Sequence, residues 1–232
     1  MCGRFTITVD RVEEILKHFN AVMAIDFDEY KPRYNAAPTQ MLPAIASKES
    51  VRYLTNAFWG FVPPWSEGEI KKSYQINIRD DTILKNKFFH DRLINNRCIF
   101  PANGFYEWKS IDITKNLPQQ NKKVPYYISL KNNKLFALAG LWRTIKIKDK
   151  IILSAAIITT RPNKLISNIH NRMPVILDEK ELELWLHSDF RDFKKLHELL
   201  DPYPEDEMQY YAVSTMVNNR RFDSPECIEP AI

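Results

Sequence analysis

The chain has 232 residues, 44% of them hydrophobic and 27% charged, which is enough apolar material for one domain over 1–232 and excludes a disordered chain. No apolar run reaches the roughly 18 residues of a membrane span, and MCGRFTITVD lacks a basic region followed by an apolar one, so no membrane partner is expected. A net charge of +4 is compatible with nucleic acid without arguing for it.

In chain order, DRVEEILKHF at 10–19 predicts a short amphipathic helix with Asp10 as N-cap and Val12, Ile15, Leu16 and Phe19 on one face. MLPAIA at 41–46, VRYLTNAFWGFV at 51–62, RCIFPANGFYEW at 97–108, YYISL at 126–130, LFALAGLW at 135–142 and IILSAAIITT at 151–160 read as strands. They are rich in β-branched and aromatic residues between turn formers. Residues 82–95 read as helix, as does 178–187, where Asp178 and Glu181 have capping-box spacing. The polar stretch 109–125 is the one long loop, and its Lys122–Lys123 pair is either solvated or near a phosphate. Strands that follow one another without regular helices argue against a parallel doubly wound sheet. The fold class expected is α+β, with a curved, mostly antiparallel, barrel-like sheet and helices outside.

Three cysteines, Cys2, Cys98 and Cys227, form no CxxC pair, so neither a disulfide framework nor a zinc site is expected. They fit a reducing compartment, cytoplasmic near the nucleoid or nuclear. Of only five glycines, Gly3, Gly60, Gly104 and Gly140 adjoin residues with chemical potential. Each marks a positive φ or a close backbone approach.

Cys2 follows the initiator methionine, and a small second residue allows Met1 to be removed. The exposed cysteine then carries an amine with a pKa of about 8 beside a thiol of about 8.5. That pair suits aldehydes: the amine forms a Schiff base and the thiol closes a five-membered thiazolidine. Glu107, between Tyr106 and Trp108, is a carboxyl in a partly apolar setting, suited to moving protons. His170 in NIHNRMPV titrates in the useful range, and Asn77 in QINIRDDT is able to fix a hydroxyl or an imine. Arg4, Arg79 and Arg172 each lie within two residues of one of these groups, and their planar forks suit phosphate. Trp65 and Trp108 have two open readings, base stacking and core. No metal cluster and no nucleotide-binding loop is visible, and no cofactor is expected.

Together these segments resemble the SOS-response-associated peptidase (SRAP) family, whose members shield abasic sites. The resemblance runs through MCGRF at 1–5, RYNAAPTQ at 33–40, WGFVPPW at 59–65, NIRDDT at 77–82 and RCIFPANGFYEWK at 97–109. It continues through LAGLW at 138–142, TTRPN at 159–163, IHNRMPVIL at 169–177 and VSTMVNN at 213–219. It implies a monomer that binds single-stranded DNA containing abasic sites, with Cys2 as the crosslinking residue. By it Asn77 positions the sugar, Glu107 acts as acid and base, His170 assists proton transfer, and Arg4, Arg79 and Arg172 hold phosphates. Pro38 and Trp108 form an apolar surface that disrupts stacking. The family more often has alanine and glutamate where this chain has Ile78 and Asp81. One rival is an N-terminal nucleophile thiol (auto)peptidase. Another is a non-covalent single-strand binding module.

Overall fold

The computed structural model describes residues 2–25, 27, 29–64, 74–112, 121–147 and 150–231. The chain runs through β1 (Phe5–Ile7), α1 (Val12–His18), β2 (Val22–Met23), β3 (Arg33–Ala36), β4 (Met41–Lys48) and β5 (Val51–Trp59). Then come β6 (Asn77–Arg79), α2 (Asp80–Lys85), α3 (Lys87–Asn95), β7 (Arg97–Ala102), β8 (Gly104–Asp112), β9 (Asn121–Leu130), β10 (Phe136–Ile147) and β11 (Lys150–Thr160). The rest is α4 (Lys164–Ser167), β12 (Met173–Pro174), β13 (Ile176–Leu177), α5 (Glu179–Leu186), α6 (Phe193–Glu198) and β14 (Met208–Ala212), followed by tight helical turns at Thr215–Asn218 and Pro225–Ile228.

Strands β5, β4, β7, β10 and β11 are neighbours in that order, and a parallel pairing of β11 with β5 (Leu153↔Ala57, Ala155↔Trp59) closes them into a ring. Closure removes the two free edges that an open sheet would expose. The second sheet, β14-β9-β8-β1-β3, is antiparallel throughout. The expected α+β class with a curved, barrel-like sheet is what the chain adopts.

All six residues of β7 are buried, so it carries no apolar–polar alternation. Phe5 from the second sheet packs edge-on against Trp59 and Phe100 of the ring, with centroids at 4.9 and 5.9 Å. Trp59 also donates its indole N–H to the Ile76 carbonyl at 3.0 Å, which ties the run into β6 to the barrel. Among the described residues no helix is long and apolar enough to cross a membrane.

Four local expectations need correction. α1 starts at Val12 with Arg11 as its N-cap, because the Glu14 carboxylate reaches back to the Arg11 N–H; Asp10 lies outside. The helix expected over 82–95 is two helices, α2 and α3, broken at Asn86, whose side chain accepts from Phe88 N–H and caps the second. The single strand expected over 97–108 divides at Asn103 between the two sheets. There Asn103 N–H donates to the Thr6 carbonyl and its side chain accepts from Thr8 N–H at 2.6 Å. Finally, residues 109–112 and 121–125 of the supposed loop 109–125 are ladder, since β8 and β9 pair out to Asp112↔Asn121; residues 113–120 lie outside the described residues. A two-stranded ribbon wetted on both faces needs no apolar alternation, so its pattern is silent. By contrast, Asp178 and Glu181 form the expected reciprocal cap on α5, at 2.7 and 2.9 Å.

Candidate functional site

The site forms where the start of β1 meets the far end of β11. β1 pairs with β8 through Phe5↔Phe105 and Thr6↔Gly104, and Tyr106 N–H donates to the Arg4 carbonyl at 3.0 Å. That antiparallel register, continued, sets Glu107 opposite the first residues of the chain. From the ring, β6 lies parallel to β11 with Ile157↔Asn77, and Asn77 Nδ2 donates to the Cys2 carbonyl at 2.9 Å. β12 flanks the same end of β11 (Thr159↔Pro174), and this carries His170 and Arg172 to it.

Cys2 is fully buried and its thiol points to the Arg4 carbonyl at 3.8 Å. Burial, and then the charge of Glu107, push the thiol above the ordinary range, so it is protonated at neutral pH. Glu107 is 2% exposed, and burial pushes its carboxyl up to about 7. Such a group both gives and takes a proton near neutrality. His170 Nδ1 lies 3.1 Å from the Arg172 N–H and 3.2 Å from the Arg172 carbonyl, so the Arg172 backbone orients the ring. Burial lowers the His170 pKa and favours the neutral ring. Glu107, Trp108, Lys123, His170 and Asn218 line an open pocket of about 450 Å³. Asn77 Oδ1 is buried and has no partner among the described residues.

The three arginines expected at phosphates are placed unequally. Arg4 donates to Asn35 Oδ1 at 2.9 Å and to the Val217 carbonyl at 2.6 Å. Arg172 is buried, bonded to Asp80 at 2.6 Å and to the Thr159 carbonyl. Only Arg79 is exposed, in a fork with Asp81 at 2.9 and 2.6 Å. Of the two departures from the family pattern, Asp81 thus holds Arg79, and Ile78 fills the core beside Ile158. Trp108 is half-buried at the pocket wall, its indole N–H on Asn218 Oδ1 at 2.7 Å. Pro38 lies away from this pocket at a second opening. Trp65 lies outside the described residues. Among the described residues no group of three His, Cys, Asp or Glu is placed to hold a metal.

Residues 1–220 match the family described as SOS response associated peptidase (SRAP). The chain belongs to the SRAP family. It is similar to the abasic site processing protein YoqW of Bacillus subtilis (strain 168), at 39% identity with 99% of each chain covered. It is also similar to the abasic site processing protein HMCES of Rattus norvegicus, at 31% identity with 89% of this chain and 67% of that one covered. A solved structure from Bacteroides thetaiotaomicron, 23% identical, matches with a TM-score of 0.79 over 100% of both chains. That likeness speaks for the SRAP fold alone.

Sequence reasoning about this SRAP chain missed Asn35, Asp80 and Asn218 as site-building residues. Asn35 is fully buried, and its amide donates to the carbonyls of Val217, Asn219 and Phe222 at 3.1, 3.2 and 2.7 Å. It therefore holds in place the turn that presents Asn218 to the pocket. RYNAAPTQ and VSTMVNN both stood out as segments, but nothing local in either says that they touch.

Proposed function

We propose that this SRAP protein processes abasic sites in single-stranded DNA by capturing the ring-opened sugar aldehyde on Cys2 after Met1 is removed. The observation that carries the reading is the junction of Cys2, Asn77 and Glu107 beside a pocket that His170 also lines. The names of the relatives support it. The Cys2 amine adds to the aldehyde carbon and one water leaves, giving an imine. The Sγ–H then adds across the C=N bond: sulfur bonds to carbon, the proton goes to nitrogen, and a thiazolidine closes. No oxidant or reductant is needed.

Glu107, poised at about 7, donates to the departing oxygen when protonated and takes the amine proton when ionised. His170 at the pocket wall assists proton transfer at the same oxygen, and Asn77 Oδ1 is the acceptor for a sugar hydroxyl.

The test is intact mass after incubation with a single-stranded oligonucleotide carrying one abasic site. The expected product is the protein without Met1 plus the oligonucleotide minus one water, absent with undamaged DNA and with Cys2→Ala. If Met1 is removed and no adduct forms, covalent capture is wrong. A peptide substrate then tests the thiol peptidase reading.

A further inference from the structure

Asn218 lines the lesion pocket. Two and three residues further on, Arg220 and Arg221 line a second opening of about 520 Å³, together with Arg33, Pro38, Thr39 and Asp223. Two residues of chain span at most about 7 Å, so one turn contributes to both openings.

The charges there do not cancel. Asp223 is fully engaged: Oδ1 accepts the N–H groups of Tyr34 and Asn35 at 2.6 and 2.8 Å, and Oδ2 pairs with Arg33 at 2.9 Å. Arg220 and Arg221 are exposed, and among the described residues neither guanidinium has an ion-pair or hydrogen-bond partner. Arg220 also lies close enough to repel the Arg4 guanidinium. Two free forks beside a third cation form a local excess of positive charge that an anion relieves. The opposite rim is held stiffly. Thr39 is β-branched yet adopts a left-handed φ of 72°, and its N–H is fixed to the Trp59 carbonyl at 2.9 Å. Pro38, whose ring fixes its own φ, precedes it at the edge of the opening.

We propose that this opening is a second phosphate-binding subsite, in which Arg220 and Arg221 grip the DNA backbone beside the abasic nucleotide while the rigid Pro38–Thr39 edge faces the bases. This rests on the proposed function, which it extends from the lesion to the flanking strand. No side chain is buried there to recognise a small anion in detail. The geometry fits backbone phosphate held independently of sequence.

The experiment compares wild type with the Arg220→Ala/Arg221→Ala double variant and with a Lys194→Ala/Lys195→Ala control on α6. Binding of an undamaged single-stranded oligonucleotide is measured across salt concentrations. The slope of log K against log salt should fall by about 1.4 in the arginine variant, at about 0.7 per lost contact, and stay unchanged in the control. With abasic DNA, the oligonucleotide concentration for half-maximal crosslinking should rise about tenfold or more, while the rate at saturation is unchanged. An unchanged slope in the arginine variant, or an equal fall in the control, overturns the subsite. The wild-type adduct reports separately on the chemistry. With no adduct but a lowered slope, covalent capture fails and the subsite stands.

Discussion

At the scale of single residues, the carboxyl of Glu107 has the most direct measurable consequence. Burial raises its folded pKa to about 7 against an ordinary 4.5. Between those values the folded protein holds a proton that the unfolded chain releases, so stability is full below pH 4.5 and falls as pH rises through 7. The loss amounts to about 3 kcal/mol. Glu107→Gln should remove this slope: urea unfolding should find the variant equal to wild type near pH 4.5 and more stable at pH 8. It should also erase an inflection near pH 7 in the crosslinking rate. Parallel stability curves for the two proteins would mean that Glu107 ionises as freely when folded as when unfolded.

The side chains that meet around Cys2 were legible in the sequence as candidates because residue type and short motifs single them out. Their partners were not. Val217 lies 213 positions from Arg4, and Asp80 lies 92 from Arg172. No local pattern reveals that these guanidinium groups are already committed to protein acceptors.

At the scale of elements, the second sheet depends on one missing Cβ. A methyl group at Gly104 would stand 2.3 Å from Tyr127 Cζ and 2.4 Å from its hydroxyl. That ring cannot easily retreat, since its hydroxyl bonds Thr6 and it packs between Tyr106 and Tyr211 at 5.3 and 5.6 Å. Gly104→Ala should cost about 2 kcal/mol, a Tm drop of roughly 4–8 °C read by calorimetry. An unchanged Tm would show that Tyr127 moves aside freely. The reading of this glycine as a close-approach position came from its rarity and its neighbours, and it holds.

Elements with local signals were legible, as with α5 and its reciprocal cap. The division at Asn103 was not, because which sheet a strand joins is decided by distant partners. The outer β8–β9 ribbon was not, because both of its faces are wet.

At the scale of the whole molecule, Asn35 joins the early chain to the late one. It satisfies three carbonyls of the Val217–Phe222 segment and also receives Arg4. Asn35→Ala would strand these groups and should cost about 3 kcal/mol or more. The 217–222 segment should then become cleavable by protease, and crosslinking should slow even where the barrel stays folded. A variant with native protease resistance would show that Asn35 is not what holds the turn. The closed ring was legible only as a tendency: runs of strand former predict a curved sheet, whereas the parallel β5–β11 seam that closes it joins strands almost a hundred residues apart.

The same meeting of early and late chain sets a clock during synthesis. A ribosome that has made Arg4 needs roughly 10–40 s more to reach Val217 at ordinary elongation rates. Throughout that interval the nascent chain has Cys2 but no Asn218 wall, and Arg4 lacks its Val217 acceptor. The pocket is among the last parts of the protein to exist, so under the proposed function a ribosome-bound chain is poorly equipped to react with the aldehydes around it.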